Sequence, residues 1–519
     1  MVYEVIITTD RTMMSDHHKH EFLGFMTTGP SIGLPESIWM WIAAPKPKVD
    51  KLGRPKVATY GLRKIEAALI DAGINASVID PDHIHKHLDT AKVIMIGHHD
   101  YFAYGPPSSE WWSITGKEPV NRKSFRKFME SPAMQKAREK GVKIIAGGPA
   151  AWQWLWSLDE WKKWGVTTIV DGEAEKVAVD LAKKALNGEP LPDYVFIGPS
   201  DVPSLEEIPK IKHASVNGLV EIMRGCPRGC KFCSVTLRPW RFIPPEKVIE
   251  EIKVNLNEGI DQVLLHSEDM LLYYADGVRP RPEKLIKLHS MIRNITTLPI
   301  AWSHASLAAV KYAEETHKLI SKLTDIMYSG DQEFLGVEIG LETGSVKLAK
   351  KIMPAKAAPY PAEKWPEVVE SAFSILMDHN IIPAVTLIAG LPEEEPDDVM
   401  ATTELIDRLR PYRSLIVPMF FVPMGMLKNR DWFRKNFLKR EHIELLKATL
   451  NHSVYWAKDI VARYYIKGFK YAPVKLFLKY ITDYINKKAL AAEMQLEKQW
   501  EEIEKSKNVD STNAGLVSA

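Results

Sequence analysis

Strand-like and helix-like segments alternate along this 519-residue chain, and that alternation constrains the fold more than any other feature. From about residue 55 to 200, the amphipathic YGLRKIEAALIDAG precedes the short apolar runs SVID, KVIMIG, VKIIAGG and TTIVDG. Such alternation is typical of a doubly wound parallel sheet, which binds ligands at the carboxyl ends of its strands. We therefore expect a ligand near the loop residues Asp80, His98, His99, Gly147, Gly148, Gly172 and Glu173.

A second alternating series begins near residue 215. Its strand-like segments are GLVEIMRG, DQVLLHSED, LPIAWSHAS, FLGVEIGLETGS, IPAVTLIAGLPEE and SLIVPMFFVP. Amphipathic segments such as PPEKVIEEIKVNLNEG and EKWPEVVESAFSILMDHN lie between them. This series predicts a complete or partial β/α barrel, whose active site would lie in the loops that follow the strands.

The chain is therefore predicted to be an α/β protein with four segments. Residues 1–205 would form a Rossmann-like doubly wound domain and residues 206–435 the barrel. Residues 436–505, which include YYIKGFKYAPVKLFLKYITDYINKK, predict a C-terminal helical domain that alternates basic and aromatic side chains. Residues 506–519 are polar and predicted to be a disordered tail.

Charge and hydropathy narrow the classes of function. The formal net charge is +2, so a nucleic-acid partner that depends on a strong positive field is not expected. No apolar run is long enough to span a bilayer, and the start of the chain lacks the pattern of a signal peptide, so we expect a cytoplasmic protein. Clusters of tryptophan such as WMW, EWW and WQWLW suit either a core or contact with a membrane interface.

All three cysteines of the chain, Cys226, Cys230 and Cys233, lie in RGCPRGCKFCSV. An odd number of thiols cannot pair off internally, and three thiolates at this spacing suit an iron–sulfur cluster. Three thiolates would hold three corners of one [4Fe-4S] cluster and leave the fourth iron open. The alternative is a zinc site, which would need a fourth ligand that no nearby histidine after Cys233 supplies.

The C-x3-C-x2-C loop, with Phe232 before its last cysteine and at the end of the first barrel strand, resembles the radical S-adenosylmethionine (SAM) superfamily. The resemblance implies that the three cysteines bind a [4Fe-4S] cluster. It also implies SAM contacts after the second strand, after the fourth strand and along the fifth strand, where threonine stands in place of the usual first glycine. The corresponding residues are Phe232, Ser267, Glu268, Glu342, Thr386 and Gly390.

In that superfamily the reduced cluster cleaves SAM, and the 5′-deoxyadenosyl radical formed abstracts hydrogen from an unactivated carbon. The resemblance therefore also implies an electron donor such as ferredoxin or flavodoxin. No catalytic residue is implied beyond the cluster and the SAM site.

A Rossmann-like domain before such a barrel resembles the cobalamin-binding-domain branch, with GLRKIEAALIDAG, GGPAA and DGEAEK as the matching segments. The Asp-x-His-x-x-Gly pattern that supplies an axial histidine is missing, because PDHIHKHLD has other spacing. Cobalamin therefore stays open as a third cofactor. The residues that would face it, or a lipid, are His98, His99, Gly147, Gly148 and Glu173.

The opening VIITTDRTMMSDHHKHEFLGFMTTGP and YGLRKIEAAL most resemble archaeal enzymes that close cyclopentane rings in the biphytanyl chains of tetraether lipids. The resemblance implies a membrane lipid substrate, C–C bond formation and peripheral contact with the inner face of the membrane. Two alternatives remain: a cobalamin-dependent radical SAM C-methyltransferase, and a non-catalytic cobalamin or iron–sulfur sensor.

Overall fold

A computed structural model describes residues 3–31, 33–329, 332–427 and 439–460, together with residues 463 and 498. Its first half is built on one six-stranded parallel sheet in the order β2-β1-β3-β4-β5-β6. Because the order changes direction between β1 and β3, the loops after these two strands diverge and leave a crevice at the carboxyl edge. The strands are β1 (Val5–Thr8), β2 (Ala76–Val78), β3 (Val93–Gly97), β4 (Lys143–Gly147), β5 (Thr168–Asp171) and β6 (Tyr194–Phe196).

Helices cover both faces of this sheet, and each face has its own apolar core. One core contains Ile94, Phe125 and Trp154, and the other contains Val93, Leu69 and Leu181. Consecutive residues of β3 thus point to opposite cores, as the period of a strand requires. The helices are α1 (Arg11–Met14), α2 (Glu21–Phe25), α3 (Glu36–Ala43), α4 (Tyr60–Asp71), α5 (Ser108–Thr115), α6 (Val120–Met129), α7 (Pro132–Glu139), α8 (Leu158–Lys163) and α9 (Glu175–Leu186).

The second half contains two three-stranded parallel sheets and a short antiparallel pair. The sheet orders are β11-β10-β7 and β12-β13-β14, and β8 pairs with β9. A single parallel bridge between His304 and Glu338 joins the two sheets into a curved, partial barrel. The strands are β7 (Leu219–Glu221), β8 (Met223–Arg224), β9 (Arg241–Phe242), β10 (Val263–His266), β11 (Ile300–Trp302), β12 (Leu335–Glu342), β13 (Ile381–Ala389) and β14 (Leu415–Phe420).

Amphipathic helices pack on the outside of this partial barrel. Their apolar residues form one core with the outward-facing strand residues, including Val220, Leu265 and Val385. The long final helix contacts both the preceding helix and the last strand. The helices are α10 (Pro245–Asn257), α11 (Pro282–Arg293), α12 (Leu307–His317), α13 (Leu319–Met327), α14 (Val346–Ile352), α15 (Pro354–Ala357), α16 (Trp365–Asp378), α17 (Pro396–Arg408) and α18 (Arg440–Ile460).

The prediction of an α/β protein with parallel sheets is confirmed, whereas the four-segment layout stays a prediction. Each predicted strand-like segment overlaps a strand, but three strands were missed: β1, which occupies an inner position in the first sheet, β6 at the edge of that sheet, and the two-residue β9. Of the predicted C-terminal helical domain, α18 is described; the rest, apart from residues 463 and 498, and the predicted tail lie outside the described residues. Among the described helices, none is long and apolar enough to cross a membrane.

Helix α5 connects the two halves through a buried carboxyl group. Glu110 is 6% exposed, and its Oε1 accepts a hydrogen bond from the backbone N–H of Phe420 in β14 at 2.6 Å. Burial is the main reason that the pKa of Glu110 rises from 4.5 to about 7. The folded protein therefore holds this proton at a pH where the unfolded chain has lost it.

We expect the Glu110→Gln variant to lose less stability than the wild type when the pH rises from about 4.5 to about 7. The unfolded glutamate ionises first in this window, so the wild type should lose about 3 kcal/mol relative to the variant, and the difference should level off above the folded pKa. Glutamine keeps an oxygen acceptor for Phe420. Urea unfolding at several pH values measures the difference, with Glu139→Gln at an exposed position as control. If the free energies of unfolding of wild type and Glu110→Gln changed with pH in parallel, the raised pKa of Glu110 would be contradicted.

Candidate functional site

The cysteine loop lies between β8 and β9, which pair Met223 with Phe242 and Arg224 with Arg241. The loop leaves β8 through Gly225, whose φ is +82° and whose added Cβ would lie 2.6 Å from the carbonyl oxygen of Pro239. This position therefore requires glycine. The paired strands bring the two ends of the loop together at the mouth of the partial barrel.

The three thiols stand in a mostly enclosed environment. Cys230 is 6% exposed, and Cys226 and Cys233 are partly buried. Burial raises the pKa of Cys226 to about 12 and that of Cys233 to about 11, and it raises the pKa of Cys230 as well. Without a metal these thiols therefore hold their protons, and a cluster must displace them when it binds.

The donor set fits an iron–sulfur cluster. Among the described residues, no three His, Cys, Asp or Glu side chains converge on a point that one metal ion would fill. Thiolates of a [4Fe-4S] cluster bind three different irons and do not need to converge, whereas a zinc site needs its ligands around one ion. Three thiolates are the ligand set of a [4Fe-4S] cluster with one open iron.

Arg228 holds the middle of the loop against the barrel. Its guanidinium is 4% exposed and donates to the carbonyl oxygens of Ala355, Lys356 and Ala358 at 2.9, 3.1 and 3.1 Å. It also donates to Ser306 Oγ at 2.8 Å. Because a buried guanidinium with these partners cannot move freely, the residues on either side, Pro227 and Gly229, are fixed between the cysteines.

Four of the six predicted SAM contacts lie close to the cysteines or to the end of the second barrel strand. Phe232 and Glu342 both lie beside Lys356: its ammonium is 5.8 Å from the centre of the Phe232 ring and forms an ion pair with Glu342. Both charged groups are near Cys230, since Lys356 lowers the pKa of that thiol and Glu342 raises it. Glu342 has φ +67° beside a β-bulge of β12, which turns its carboxylate toward Lys356. Glu268 is close enough to Cys233 to raise the pKa of that thiol, and Ser267 precedes it.

The other two predicted SAM contacts lie on the neighbouring strand. Thr386 of β13 pairs in register with Gly340 of β12, two residues before Glu342. Gly390 follows β13 with φ +76°, and its N–H donates to Glu394 at 2.6 Å. Gly390 thus lies at the carboxyl end of β13 and Thr386 within the strand, three residues before its last residue, and their contact with SAM stays a prediction.

A cavity of about 830 Å³ lies between the first sheet and the barrel mouth. All five residues predicted to face cobalamin or a lipid line it, and so do Ser234 and Val235, which follow the last cysteine, and Glu268. Much of the remaining wall is apolar, and charged side chains such as Lys64, Asp171 and Arg238 also line it. The two predicted ligand sites, one in each half of the chain, therefore open into one space. The five residues are His98, His99, Gly147, Gly148 and Glu173.

The adjacent histidines of this cavity differ in their contacts. His98 is 2% exposed; its Nε2 lies 3.0 Å from Asp10 Oδ1, and its Nδ1 accepts from the backbone N–H of Asp100 at 2.7 Å. The His99 ring is exposed to the cavity, yet the surrounding protein lowers its pKa to about 4 by desolvation. His98 is thus a structural residue of the sheet edge, and His99 is a neutral side chain that faces the cavity.

Glu173 holds the two halves of the chain together. Its carboxylate accepts from Arg224 at 2.6 Å and from Arg241 at 2.6 and 2.8 Å, and these arginines flank the cysteine loop. Burial opposes its ionisation, but the arginines outweigh burial and lower the pKa of Glu173. Glu173 therefore lines the cavity as an ion-paired wall residue.

Several site residues were missed by the sequence reasoning, among them Arg224 and His266. Arg224 contacts three carboxylates at the junction of the two halves. No local sequence pattern predicts these contacts. His266 lines the cavity opposite the first sheet, and burial lowers its pKa to about 3. A signal did exist for His266, because it lies in the predicted strand segment DQVLLHSED directly before Ser267 and Glu268.

A comparison with known protein families supports the interpretation of the cysteine loop. Residues 220–406 match the model of the radical SAM superfamily. The chain therefore carries a radical SAM domain, as predicted, and the proteins of this superfamily use a [4Fe-4S] cluster and SAM.

Two curated relatives modify tRNA. The tRNA-2-methylthio-N(6)-dimethylallyladenosine synthase of Bacillus subtilis is 21% identical over 258 residues, which cover 48% of this chain and 46% of the relative. The probable threonylcarbamoyladenosine tRNA methylthiotransferase of Pyrococcus horikoshii is 22% identical over 301 residues, 58% of this chain and 64% of the relative. This chain thus spans less than two thirds of either relative.

Solved structures extend the similarity beyond the radical SAM domain. The radical SAM methyltransferase TsrM from Kitasatospora setae, with tryptophan substrate and a SAM analog bound, matches with a TM-score of 0.52 and 13% identity over 82% of this chain and 75% of that chain. The structure of TsrM with cobalamin and a [4Fe-4S] cluster bound matches with a TM-score of 0.51 and 13% identity, over 80% of this chain and 75% of that chain. At this identity the similarity shows a shared fold.

Proposed function

We propose that this chain is a radical SAM enzyme that removes hydrogen from unactivated carbons of tetraether lipid biphytanyl chains and joins those carbons into cyclopentane rings. The cavity between the two halves is the observation that carries the proposal. It is large enough for a substantial ligand, since such sites span about 300–1,000 Å³. It begins at the cysteine loop and continues along apolar side chains of the first sheet.

The wall of the cavity suits a hydrocarbon chain. Side chains such as Met95, Ile145, Val170 and Trp152 cover its sheet side, and Phe25 and Met424 line it while remaining 50% and 41% exposed. An apolar chain that enters past the two exposed residues would leave water where it contacts these apolar side chains, which favours binding by about 25 cal/mol per Å² of buried area. Glu268, which lies near Cys233, marks the end at which the reaction would take place.

The residues of the chain have separate roles in this proposal. Cys226, Cys230 and Cys233 would hold the cluster, which when bound supplies the electron that cleaves SAM into methionine and a 5′-deoxyadenosyl radical. Glu268 would bind the methionine amino group. The wall would keep radical traps from the solvent, such as oxygen and small thiols, away from a carbon radical on the substrate.

The proposal includes partners and a location. Ferredoxin or flavodoxin would supply the electron. The lipid would reach the enzyme at the inner face of the membrane, with the protein cytoplasmic and in peripheral contact there. No nucleic acid is included, although the tRNA-modifying relatives make tRNA a useful negative control.

An anaerobic assay tests the proposal. The reconstituted protein is given SAM, a reductant and a tetraether lipid without rings, and the lipid is read by mass spectrometry. We expect a loss of two hydrogens and the formation of two 5′-deoxyadenosines per ring, because each new C–C bond replaces two C–H bonds and one 5′-deoxyadenosyl radical accepts each hydrogen atom. An unchanged lipid from protein that cleaves SAM would contradict the proposed substrate.

A second candidate is C-methylation with cobalamin as the methyl carrier. The similarity of fold to TsrM with bound cobalamin over 80% of this chain favours it, as does the common cavity of the sheet loops and the cysteine loop. The same assay separates the two candidates, since methylation would add the mass of one CH2 unit in place of the loss of two hydrogens.

A further inference from the structure

His99 lies where a ligand of the first sheet would meet the barrel. It follows β3, next to β1, at the change of direction in the strand order. In sheets of this type ligands bind in the crevice that this change creates. Across the cavity stands His266 at the end of β10, so that His99 faces the barrel from the sheet side.

The local backbone fixes the direction of His99. Gly148 has φ +88°, and a Cβ at this position would lie 3.0 Å from both the backbone nitrogen and the oxygen of His98. The loop after β4 therefore packs directly on the backbone that precedes His99. The neighbouring His98 is held by Asp10, with which it makes a buried contact of 3.0 Å. These contacts leave His99 as the residue of the pair whose ring enters the cavity.

His99 differs from the other histidines that line this cavity on the sheet side. Nδ1 of His17 is 2.6 Å from the carbonyl oxygen of Ala43, and both ring nitrogens of His98 have partners. No hydrogen bond to the His99 ring occurs among the described residues. An imidazole nitrogen without a protein partner is free to bind a metal.

We infer that His99 is the side chain that faces, and ligates, the cobalt of a cobalamin bound in this cavity. The usual axial pattern is missing from the sequence, and His99 would supply the imidazole from a different loop. Gly147 and Gly148 place no side chain beside it, which leaves room for a flat macrocycle against the sheet edge. The inference goes beyond the proposed ring closure, which requires no corrinoid. Because that proposal places the lipid in the same cavity, the two ligands are tested separately.

Electron paramagnetic resonance of the full chain with added cob(II)alamin tests this inference. A nitrogen ligand splits the cobalt lines into triplets when it is ¹⁴N and into doublets when it is ¹⁵N. We expect triplets in unlabelled protein and doublets after labelling of histidine with ¹⁵N. The label separates a histidine ligand from the nitrogen base that cobalamin itself carries.

Variants assign the ligand. His99→Ala and His99→Gln should abolish the label-dependent splitting, whereas His266→Ala on the opposite wall should keep it. Since the His99 ring has no hydrogen bond to lose among the described residues, these variants should fold. The inference is overturned if the splitting does not change with the ¹⁵N label, or if the label-dependent splitting persists in His99→Ala. It is also overturned if the protein retains no cobalamin. The lipid assay reads ring closure independently, so either idea can fail alone.

Discussion

Replacing Cys230 by alanine is expected to reduce bound iron and the formation of 5′-deoxyadenosine to background levels. Three thiolates are the whole cysteine complement of the chain, so no other cysteine can take over the lost ligand. Cys230 is also the most buried of the three, and water cannot easily replace its sulfur. Iron analysis and chromatography of the SAM cleavage products measure the two effects.

Ser234→Ala is the matched control for this experiment. Ser234 directly follows Cys233 and is partly buried beside the same cavity, but its hydroxyl is not expected to bind iron. The control should therefore keep its cluster. A Cys230→Ala protein that retains a full cluster and cleaves SAM at the wild-type rate would contradict the assignment of the cysteine loop.

The second large effect is expected at the junction of the two halves, for Arg224→Met. The Arg224 guanidinium is 10% exposed and contacts the carboxylates of Glu173, Glu175 and Glu221 at 2.6, 2.6 and 2.8 Å. Methionine keeps much of the apolar volume but leaves these carboxylates without their shared partner. Removal of one member of a buried ion pair costs about 3–5 kcal/mol, so we expect a loss of that size in the free energy of unfolding.

Lys210→Met gives the exposed comparison. Lys210 and its partner Glu250 are 47% and 53% exposed, and exposed pairs contribute about 0–1 kcal/mol. Denaturant unfolding of both variants measures the two losses side by side. Equal small losses would mean that Arg224 does not hold the halves together.

The elements of the fold were largely predictable because their signals are local. The alternation in KVIMIG and the amphipathic YGLRKIEAALIDAG each encode one strand or helix in neighbouring residues. The strand Val5–Thr8 was missed because it stands before the alternating series, without a preceding helix to mark it. The first sheet thus lacked an inner strand in the prediction.

The site was predictable only in part, because the residues outside the cysteine loop come together through tertiary contacts. The spacing of the cysteines is local, and the loop was found. The ion pair of Arg224 with Glu173 joins residues 51 positions apart, and no sequence period reports such a contact. In the same way, the sequence does not distinguish the roles of His98 and His99. The difference arises from tertiary contacts, because Asp10 contacts the His98 ring and Gly148 packs on the backbone of His98.

The central claim is that a radical generated at the cysteine loop reaches a lipid chain in the cavity. Deuterium transfer tests it most directly: the enzyme is given SAM, a reductant and a tetraether lipid deuterated along its biphytanyl chains. The account predicts 5′-deoxyadenosine that carries deuterium, together with a lipid that has lost two hydrogen isotopes for each ring. Unlabelled 5′-deoxyadenosine beside an unchanged lipid would contradict it.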